Sequence, residues 1–256
     1  MIKWTWFGWW RSWISIALLC VPAFASRTFN GTSDVITISG SSTAIDVTGQ
    51  ALSISAWVYF ATVPSAEMEP LAKADSGATQ YEIYINAAGQ PSKTLGVYFR
   101  QSTSLNHDVY MNCASAATNG TWTHIVAAYS SVATTWFMYC NGVQATNGST
   151  GSAATIMSNG DSLLIGKKAA SSAIYCACSV ADVGVWTAQI SPLEAKSLAS
   201  GKSPATVHRN ALVGYFPLWG ASGTNPEPDY SGNANNGTLT GTSLGPPFPC
   251  LPVVNQ

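Results

Sequence analysis

Residues 52–60 read LSISAWVYF, and their alternation is the clearest indication of the fold. Aliphatic or phenyl side chains at positions 52, 54, 56, 58 and 60 alternate with two serines and with Trp57 and Tyr59. A period of two is typical of a β-strand with one face in the core, because successive side chains point to opposite faces. The stretch therefore predicts a strand whose aliphatic face is buried.

The same alternation recurs along the chain and predicts about ten short strands. The further candidates are residues 35–38, 81–85, 95–100, 109–113, 122–129, 135–140, 163–166, 174–186 and 212–217. Six Asn-Gly pairs, which favour the positive φ angles of tight hairpins, begin at Asn30, Asn119, Asn141, Asn147, Asn159 and Asn236. Short strands joined by such turns predict an all-β fold, an antiparallel β-sandwich or jelly roll.

One segment carries a helical signal. Ser191-Pro192-Leu193-Glu194 is a capping box with proline at the first helical position, and Gly201 provides a stop. We predict a single short helix near residues 191–200. Because no linker rich in Pro, Gly and Ser and no internal repeat divides residues 26–256, we predict that this range is one domain.

The first 25 residues have the organisation of a secretory signal peptide. Lys3 and Arg11 precede an apolar run at residues 13–21, and Ala23-Phe24-Ala25 has the small-x-small pattern found before a cleavage site. We expect cleavage between Ala25 and Ser26 and a secreted mature protein. The alternative is that residues 4–25 stay uncleaved and anchor the chain in a membrane, although Arg11 interrupts that stretch.

The chain carries few charges, which excludes some partners. The 11 basic and 12 acidic residues make up 9% of it, against about 25% in ordinary soluble domains. No basic cluster is available to contact phosphates, so we expect no nucleic-acid partner. No second apolar stretch is long enough to span a bilayer, so we expect no membrane association once the signal peptide is removed.

Cleavage would leave five cysteines: Cys113, Cys140, Cys176, Cys178 and Cys250. An odd number in an oxidising compartment leaves at least one thiol free or bonded to another chain, so each of the five is a candidate for a disulfide or a free thiol. Cys176 and Cys178 share one face of the predicted strand 174–186, and we therefore expect them not to bond each other. A C-x-C pair alone does not make a zinc site.

Several ordered motifs resemble the laminin G-like jelly rolls of the concanavalin A-like lectin and glucanase superfamily. FNGTSDV at residues 29–35 resembles the opening F-D-G-x-x-D-Y-V strand, and SISAWV at residues 53–58 resembles a later strand that carries a tryptophan. GTWTHIVAAY (120–129), YCNGV (139–143), LLIG (163–166) and residues 180–194 follow in the order of the family's motifs. The resemblance covers nearly all of residues 26–256 and implies the same jelly-roll fold.

Residues 212–242 are similar to a block that opens the domain in many members but stands late in this chain. The block contains GYFPLW, PEPDYSGN and NNGTLTG, and we expect residues 212–217 to pair inside a sheet. The resemblance also implies one structural calcium, for which the candidate ligands are Asp229, Asp182 and Asn30. Asn30 and Asn141 stand where the family motifs carry aspartate, which depletes that ligand set.

The superfamily includes polysaccharide-degrading enzymes, whose glucanase members carry E-x-D-x-x-E on one strand. Glycoside hydrolysis needs two carboxylates placed across the scissile bond, and this sequence has no such run. Glu67 and Glu69 come nearest, but they fall between Pro64 and Pro70, where we expect a solvated loop. We expect His107 to be a loop residue and His124 to be structural, so no catalytic residue is predicted.

Sugars present apolar faces and hydroxyl rims, so their binding sites combine aromatic rings with amide and hydroxyl side chains. The candidate ligand contacts are Tyr98, Tyr110, Trp136 and Tyr230. We predict a secreted, non-enzymatic module for carbohydrate binding or adhesion, whose partners are glycans or extracellular proteins. One alternative is a homo-oligomeric structural subunit of an extracellular filament, coat or virion surface, which the low charge and odd cysteine count favour. A polysaccharide-degrading enzyme with an unrecognised site is the second.

Overall fold

The structure of the protein is a computed structural model. It describes residues 26–40, 44–74, 79–100, 108–133, 135–149, 155–156, 158–169, 174–220 and 225–249. The predicted signal peptide with Ala25, as well as His107 and Cys250, lies outside these residues. Most of the described elements are β-strands and one is an α-helix, which confirms the predicted all-β class.

Two eight-stranded sheets pack face to face, and every strand pair within them is antiparallel. Sheet I consists of β1 (Arg27–Thr28), β3 (Ala51–Phe60), β8 (Thr121–Ser130), β9 (Thr135–Cys140), β10 (Val143–Gln144), β15 (Ser179–Trp186), β16 (Leu212–Phe216) and β18 (Ser243–Leu244). Sheet II consists of β2 (Val35–Ile38), β4 (Met68–Ala74), β5 (Thr79–Ile85), β6 (Leu95–Arg100), β7 (Asp108–Asn112), β11 (Asn147–Ser149), β12 (Leu163–Ile165) and β17 (Gly237–Thr240). The short strands β13 (Lys167–Lys168) and β14 (Ile174–Tyr175) pair with each other.

The core lies between the sheets and is built by the predicted alternation. In β3, Leu52, Ile54, Ala56, Val58 and Phe60 all join the main buried cluster, while β8 pairs with β3 along its whole length. Each fully buried Leu, Ile, Val or Phe side chain contributes about 1.5–3 kcal/mol relative to its exposed state. The polar and aromatic side chains of β3 point to the opposite, outer face of sheet I.

The outer face of sheet I is covered by the helix α1 (Pro192–Ala199) and by two 3-10 helices, Pro204–Thr206 and Arg209–Ala211. Trp186 and Tyr139 from the sheet pack there against Leu198 of α1. The predicted capping box is present, since the Glu194 N–H donates to the Ser191 hydroxyl and the Ser191 N–H donates to Glu194 Oε2. The helix prediction is confirmed.

A second part of the same outer face is covered by the segment that follows β18. Phe248 packs on Trp57 and Trp122, with ring centroids 6.4 and 6.0 Å away. The Trp122 indole N–H donates to the Pro247 carbonyl over 2.7 Å. The helices and this segment together leave the outer face of sheet I largely closed to solvent.

The block that follows α1 is an integral part of both sheets. As predicted, β16 pairs inside sheet I with β15, and β17 pairs with β2 at the edge of sheet II. A fully buried ion pair joins this block to β1, because the Arg27 guanidinium donates to Glu227 Oε2 over 2.9 Å. Such a pair is costly to break, since either partner alone would be an uncompensated buried charge.

Four cysteines form two disulfides. Cys113, which follows β7 in sheet II, bonds Cys140, the last residue of β9 in sheet I, and so connects the two layers. Cys176 bonds Cys178, contrary to the prediction from their spacing. The predicted strand 174–186 is interrupted between β14 and β15, and the chain turns there. The Cα atoms are therefore 5.3 Å apart, closer than the about 6.6 Å of an extended strand and near the about 5.5–6 Å that is commonest for disulfides.

The Asn-Gly pairs adopt several conformations. Among the described residues, only Asn141-Gly142 has positive φ at both positions, and it forms the β9–β10 hairpin. At three other pairs, which begin at residues 30, 119 and 159, only the glycine has positive φ. Asn147-Gly148 lies within β11 and Gly237 begins β17, so the turn predictions there are wrong. Pairing with β7 and β2 outweighs the local turn preference at those two places.

Candidate functional site

Two large aromatic side chains are exposed to solvent and stack on each other. The exposed fractions are 40% for Trp219 and 54% for Tyr230, and every other Trp, Tyr or Phe with described burial is less exposed. Their ring centroids are 5.6 Å apart with an interplanar angle of 30°. We call these two residues the aromatic platform.

The backbone on both sides of the platform is fixed by buried groups. Trp219 follows Leu218, which is buried and has a φ of 66°. The Tyr230 N–H donates to the Tyr215 carbonyl over 2.8 Å, and the rings of Tyr215 and Tyr230 meet edge to face with centroids 6.3 Å apart. Both aromatic side chains are therefore held by the end of β16 and by the loop that returns beside it.

The Arg27–Glu227 ion pair holds the two platform segments together. Glu227 lies three residues before Tyr230, and its carboxylate also accepts a hydrogen bond from the Leu218 backbone. Burial raises the pKa of Glu227, although the Arg27 charge and hydrogen bond oppose that shift. A side chain at Gly220 would collide with the Arg27 guanidinium, which explains why a glycine follows Trp219.

Asp229 stabilises the loop that carries Tyr230. Its Oδ1 accepts hydrogen bonds from the N–H groups of Tyr215 and Ser231, both over 2.9 Å. Its Oδ2 accepts from the Asn235 N–H and the Ser231 hydroxyl, also over 2.9 Å. Both carboxylate oxygens are therefore used in shaping the chain.

Each of the three residues predicted to bind calcium accepts hydrogen bonds from groups of the protein itself. Asp182 and Asp229 contact opposite ends of Tyr215, its hydroxyl and its backbone N–H. Burial raises the pKa of Asp182 to about 7, against the opposing effect of the Tyr215 hydrogen bond. Asn30 Oδ1 accepts three backbone N–H groups, from residues 32, 33 and 34, and closes a local turn. In the part of the chain that the structure describes, no three His, Cys, Asp or Glu side chains are grouped to hold a metal ion.

Two other predicted ligand contacts lie together on the outer face of sheet II. Tyr98 of β6 and Tyr110 of β7 are directly opposite in the ladder, and their ring centroids are 4.7 Å apart. Glu82 of β5 continues the same row beyond Tyr98. Tyr98 is only 6% exposed and Tyr110 is partly buried, so these rings offer a ligand little free surface.

Carboxylates and a lysine adjoin this row. Lys168 Nζ lies 2.7 Å from Glu82 Oε2 and 3.8 Å from Glu69 Oε1. Burial, with a smaller effect of Glu82, raises the pKa of Glu69 to about 9, and burial also raises the pKa of Glu82. Burial alone would lower the pKa of Lys168, but the two carboxylates raise it. We call Glu69, Glu82, Lys168, Tyr98 and Tyr110 the tyrosine–glutamate cluster.

Glu69 corrects the sequence prediction for residues 64–70. The residue is fully buried in β4 and does not lie in a solvated loop. The β4–β5 register shifts between Met68 and Leu71, and Pro70 lies in that irregular stretch, where a missing N–H costs no ladder hydrogen bond. Pro70 is the reason why the sequence pattern did not predict the start of β4.

Trp136 lies apart from both aromatic groups. Its ring stacks on Tyr129 with centroids 3.6 Å apart, and it packs against the main core. The prediction of Trp136 as a ligand contact is therefore not supported by its position. His124 is buried against Trp57, and burial lowers its pKa to about 3, which agrees with the structural role expected for it.

Two cavities lie among the described residues, and neither exceeds the lower limit of ordinary ligand pockets. One of about 210 Å³ lies beside the Cys113–Cys140 disulfide, and one of about 290 Å³ is lined by residues 208–211. Pockets for small molecules usually enclose roughly 300–1,000 Å³. The exposed platform is therefore a better candidate for a binding surface than either cavity.

The family profile for laminin G-like domains, described as the concanavalin A-like lectin/glucanases superfamily, matches residues 30–196, more than half of the chain. The chain belongs to this superfamily. No curated protein sequence matches it. The platform follows the matched range, and so the family profile does not assign it.

Solved structures of the superfamily's fold share the jelly-roll architecture. A Bacteroides ovatus protein provisionally assigned to carbohydrate binding has 17% identity and a TM-score of 0.66, over 88% of this chain. This chain spans 60% of the length of that protein. The heptameric SAP-like pentraxin of Limulus polyphemus has 15% identity and a TM-score of 0.50, over 71% of this chain and 84% of that one. At these identities the similarity shows the fold.

Among the residues described, no helix is both long and apolar enough to cross a membrane.

Tyr230 is one of the ligand contacts predicted from the sequence, whereas Trp219 is not and belongs there only to the GYFPLW motif. Trp219 lies beyond the end of β16, after Pro217, where strand alternation no longer turns the side chain toward the core. That position is the signal that could have identified it.

Proposed function

We propose that this protein is a secreted, non-enzymatic carbohydrate-binding module that contacts its glycan through the aromatic platform of Trp219 and Tyr230. The observation that carries the proposal is the solvent exposure of this stacked pair. A sugar ring presents an apolar face, and exposed indole and phenol faces can bury that face without a charged partner. The superfamily membership and the similar carbohydrate-binding fold support the same function.

The polar groups around the platform are mostly neutral and suit a neutral sugar. Asn225 and Asn233 are exposed on the loop segments next to Tyr230, and Ser231 follows it directly. The nearby charges of Arg27 and Glu227 neutralise each other in a buried pair. Asp229 carries a further charge, and both its carboxylate oxygens accept hydrogen bonds from its own loop and from Tyr215. A neutral saccharide that stacks on two rings and donates its hydroxyls to amide oxygens is the ligand that this surface favours.

Binding is preferred to catalysis because the buried carboxylates are closed to a substrate. Glu69 and Glu82 are nearly inaccessible, and Glu82 is paired with Lys168. A glycosidase needs an acid and a second carboxylate on either side of an accessible glycosidic bond. Neither residue offers its oxygens to such a bond.

A glycan array with the protein, followed by titration calorimetry with the best saccharide, tests the proposal. Trp219→Ala and Tyr230→Ala are expected to weaken binding at least tenfold each, about 1.4 kcal/mol. Leu193→Ala is the matched control, because Leu193 is an exposed hydrophobic residue on α1. Undiminished binding by the double variant would move the site elsewhere, and an array without any bound glycan would contradict the function.

Assembly into a covalent oligomer is the second candidate, and the cysteine pairing favours it. Four of the six cysteines are bonded within the chain, and the other two are Cys20, in the predicted signal peptide, and Cys250. A leftover cysteine in an oxidising compartment is available to a neighbouring chain. Non-reducing electrophoresis tests this, since a dimer band that is lost in Cys250→Ser supports assembly and a monomer in both argues against it.

A further inference from the structure

A fully buried lysine occupies a junction between β4 and two loops. The side chain of Lys73 is 0% exposed, whereas lysine is almost never fully buried unless its charge is paired. Its Nζ donates to Asn159 Oδ1 over 2.6 Å and to the Asp161 carbonyl over 2.7 Å. It also lies 3.3 Å from Asp46 Oδ1.

These three oxygens are of the types that bind a hard metal ion. Carboxylate, amide and main-chain carbonyl oxygens are the usual ligands of calcium in proteins. An ammonium group has three N–H donors, and here it meets three oxygens, one from each of three residues. The Lys73 ammonium thus lies among oxygens of Asp46, Asn159 and Asp161, and we call these three oxygens the cage.

The cage is built from segments that are distant in the sequence. Asp46 comes from the loop before β3, whereas Asn159 and Asp161 precede β12. Other side chains orient Asp46, since the Gln80 amide donates to its Oδ1 over 3.0 Å and the Ser158 hydroxyl donates to its Oδ2. Asn159 Nδ2 in turn donates to the Lys73 carbonyl over 3.2 Å. The cation therefore holds both loops against β4.

We propose that Lys73 is a built-in cation that takes the place of a bound calcium ion at this junction and makes the domain independent of divalent metals. The residues that family resemblance suggested as calcium ligands accept hydrogen bonds from the protein itself, and the oxygens gathered here surround the Lys73 ammonium. The inference does not depend on glycan binding, because the cage involves neither Trp219 nor Tyr230.

Removal of the ammonium should convert the cage into a calcium site. We expect the melting temperature of the wild-type protein to be the same in EDTA and in millimolar calcium chloride. Lys73→Ala should melt lower in EDTA and recover by several degrees in calcium. It should also bind terbium, whose emission Tyr81, paired with Lys73 across β4 and β5, is placed to sensitise.

Two further variants keep the test decisive. Lys73→Met fills the space with an apolar chain and should be destabilised without recovery in calcium. Asp46→Asn combined with Lys73→Ala should lose the calcium response, because the carboxylate ligand is gone. If Lys73→Ala does not fold in EDTA, its refolding yield in calcium replaces the melting temperature as the measure. A wild-type protein that melts lower in EDTA, or a Lys73→Ala chain indifferent to calcium and terbium, would overturn the proposal.

Discussion

The aromatic platform and the tyrosine–glutamate cluster use similar residue types in opposite environments. Trp219 and Tyr230 stack in solvent at the end of β16, whereas Tyr98 is buried on the outer face of sheet II beside Glu82. Because the tyrosine–glutamate cluster is buried, its side chains contribute to stability, and burial raises the pKa of Glu69 and Glu82. In the proposed function, the exposed rings of the aromatic platform stack against a ligand. Residue type alone does not distinguish these roles, but the exposed fraction of each ring does.

Deletion of residues 210–256 should have the largest effect. The deletion removes the platform together with β16, β17 and the Glu227 partner of Arg27, and leaves the tyrosine–glutamate cluster formally intact. We expect no soluble folded protein, because sheet I loses β16 and β18 and sheet II loses β17. Expression yield and circular dichroism measure this, and deletion of residues 250–256 alone serves as the control. A stable truncated product would show that the platform region is an appendage.

Breaking the ion pair under the platform should cost less than the deletion but more than any surface change. Glu227→Ala leaves the Arg27 guanidinium buried without a counter-charge, and we expect a loss of about 3–5 kcal/mol in denaturant unfolding. The double variant Arg27→Met, Glu227→Met should regain much of that loss, since it removes both buried charges. Equal stability of the single and wild-type proteins would contradict the buried pair.

Matched alanine substitutions test the comparison directly. Tyr98→Ala should destabilise the fold by about 3 kcal/mol or more, because it empties a buried ring position next to Tyr110. Tyr230→Ala should cost at most about 1 kcal/mol, since its ring is more than half exposed. Urea unfolding of both variants measures the difference. Similar losses in the two variants would mean that the platform is structural.

The smallest predicted effect is a pH dependence between pH 7 and 9 that arises from Glu69 of the tyrosine–glutamate cluster. The pKa of Glu69 is about 9 in the folded state and its ordinary value is 4.5, so the folded state binds this proton more tightly than the unfolded state. Stability therefore falls as the pH rises from about 4.5 to 9. Glu69→Gln cannot lose a proton and should flatten the fall between pH 7 and 9, measured by urea midpoints. Tyr230→Ala should leave it unchanged, and a slope as steep in Glu69→Gln as in the wild-type protein would contradict the assignment.

The sequence predicted those elements whose signal is local. The alternation of residues 52–60 identified β3, and Ser191 with Glu194 identified the helix start, because strand periodicity and a capping box are complete within a few residues. The pairing of residues 212–217 inside a sheet came from the motif resemblance and was correct.

What escaped prediction depends on contacts between distant segments. Pro70 concealed β4, although the shifted register around it tolerates a proline. The Cys176–Cys178 disulfide required the chain to turn where the pattern suggested a continuous strand. The partners of Lys73 and the exposure of Trp219 are set by loops from other parts of the chain, and no local pattern encodes them.

The pairing of β1 with β18 has a consequence for how this domain can be joined to others. Arg27 lies opposite Leu244, so the first and last strands of the described fold are adjacent and antiparallel at one edge of sheet I. Entry and exit points that lie side by side allow a whole domain to be spliced into a loop of a host protein, or repeated in tandem, without a break in its core. The adjacent first and last strands of this fold provide that arrangement.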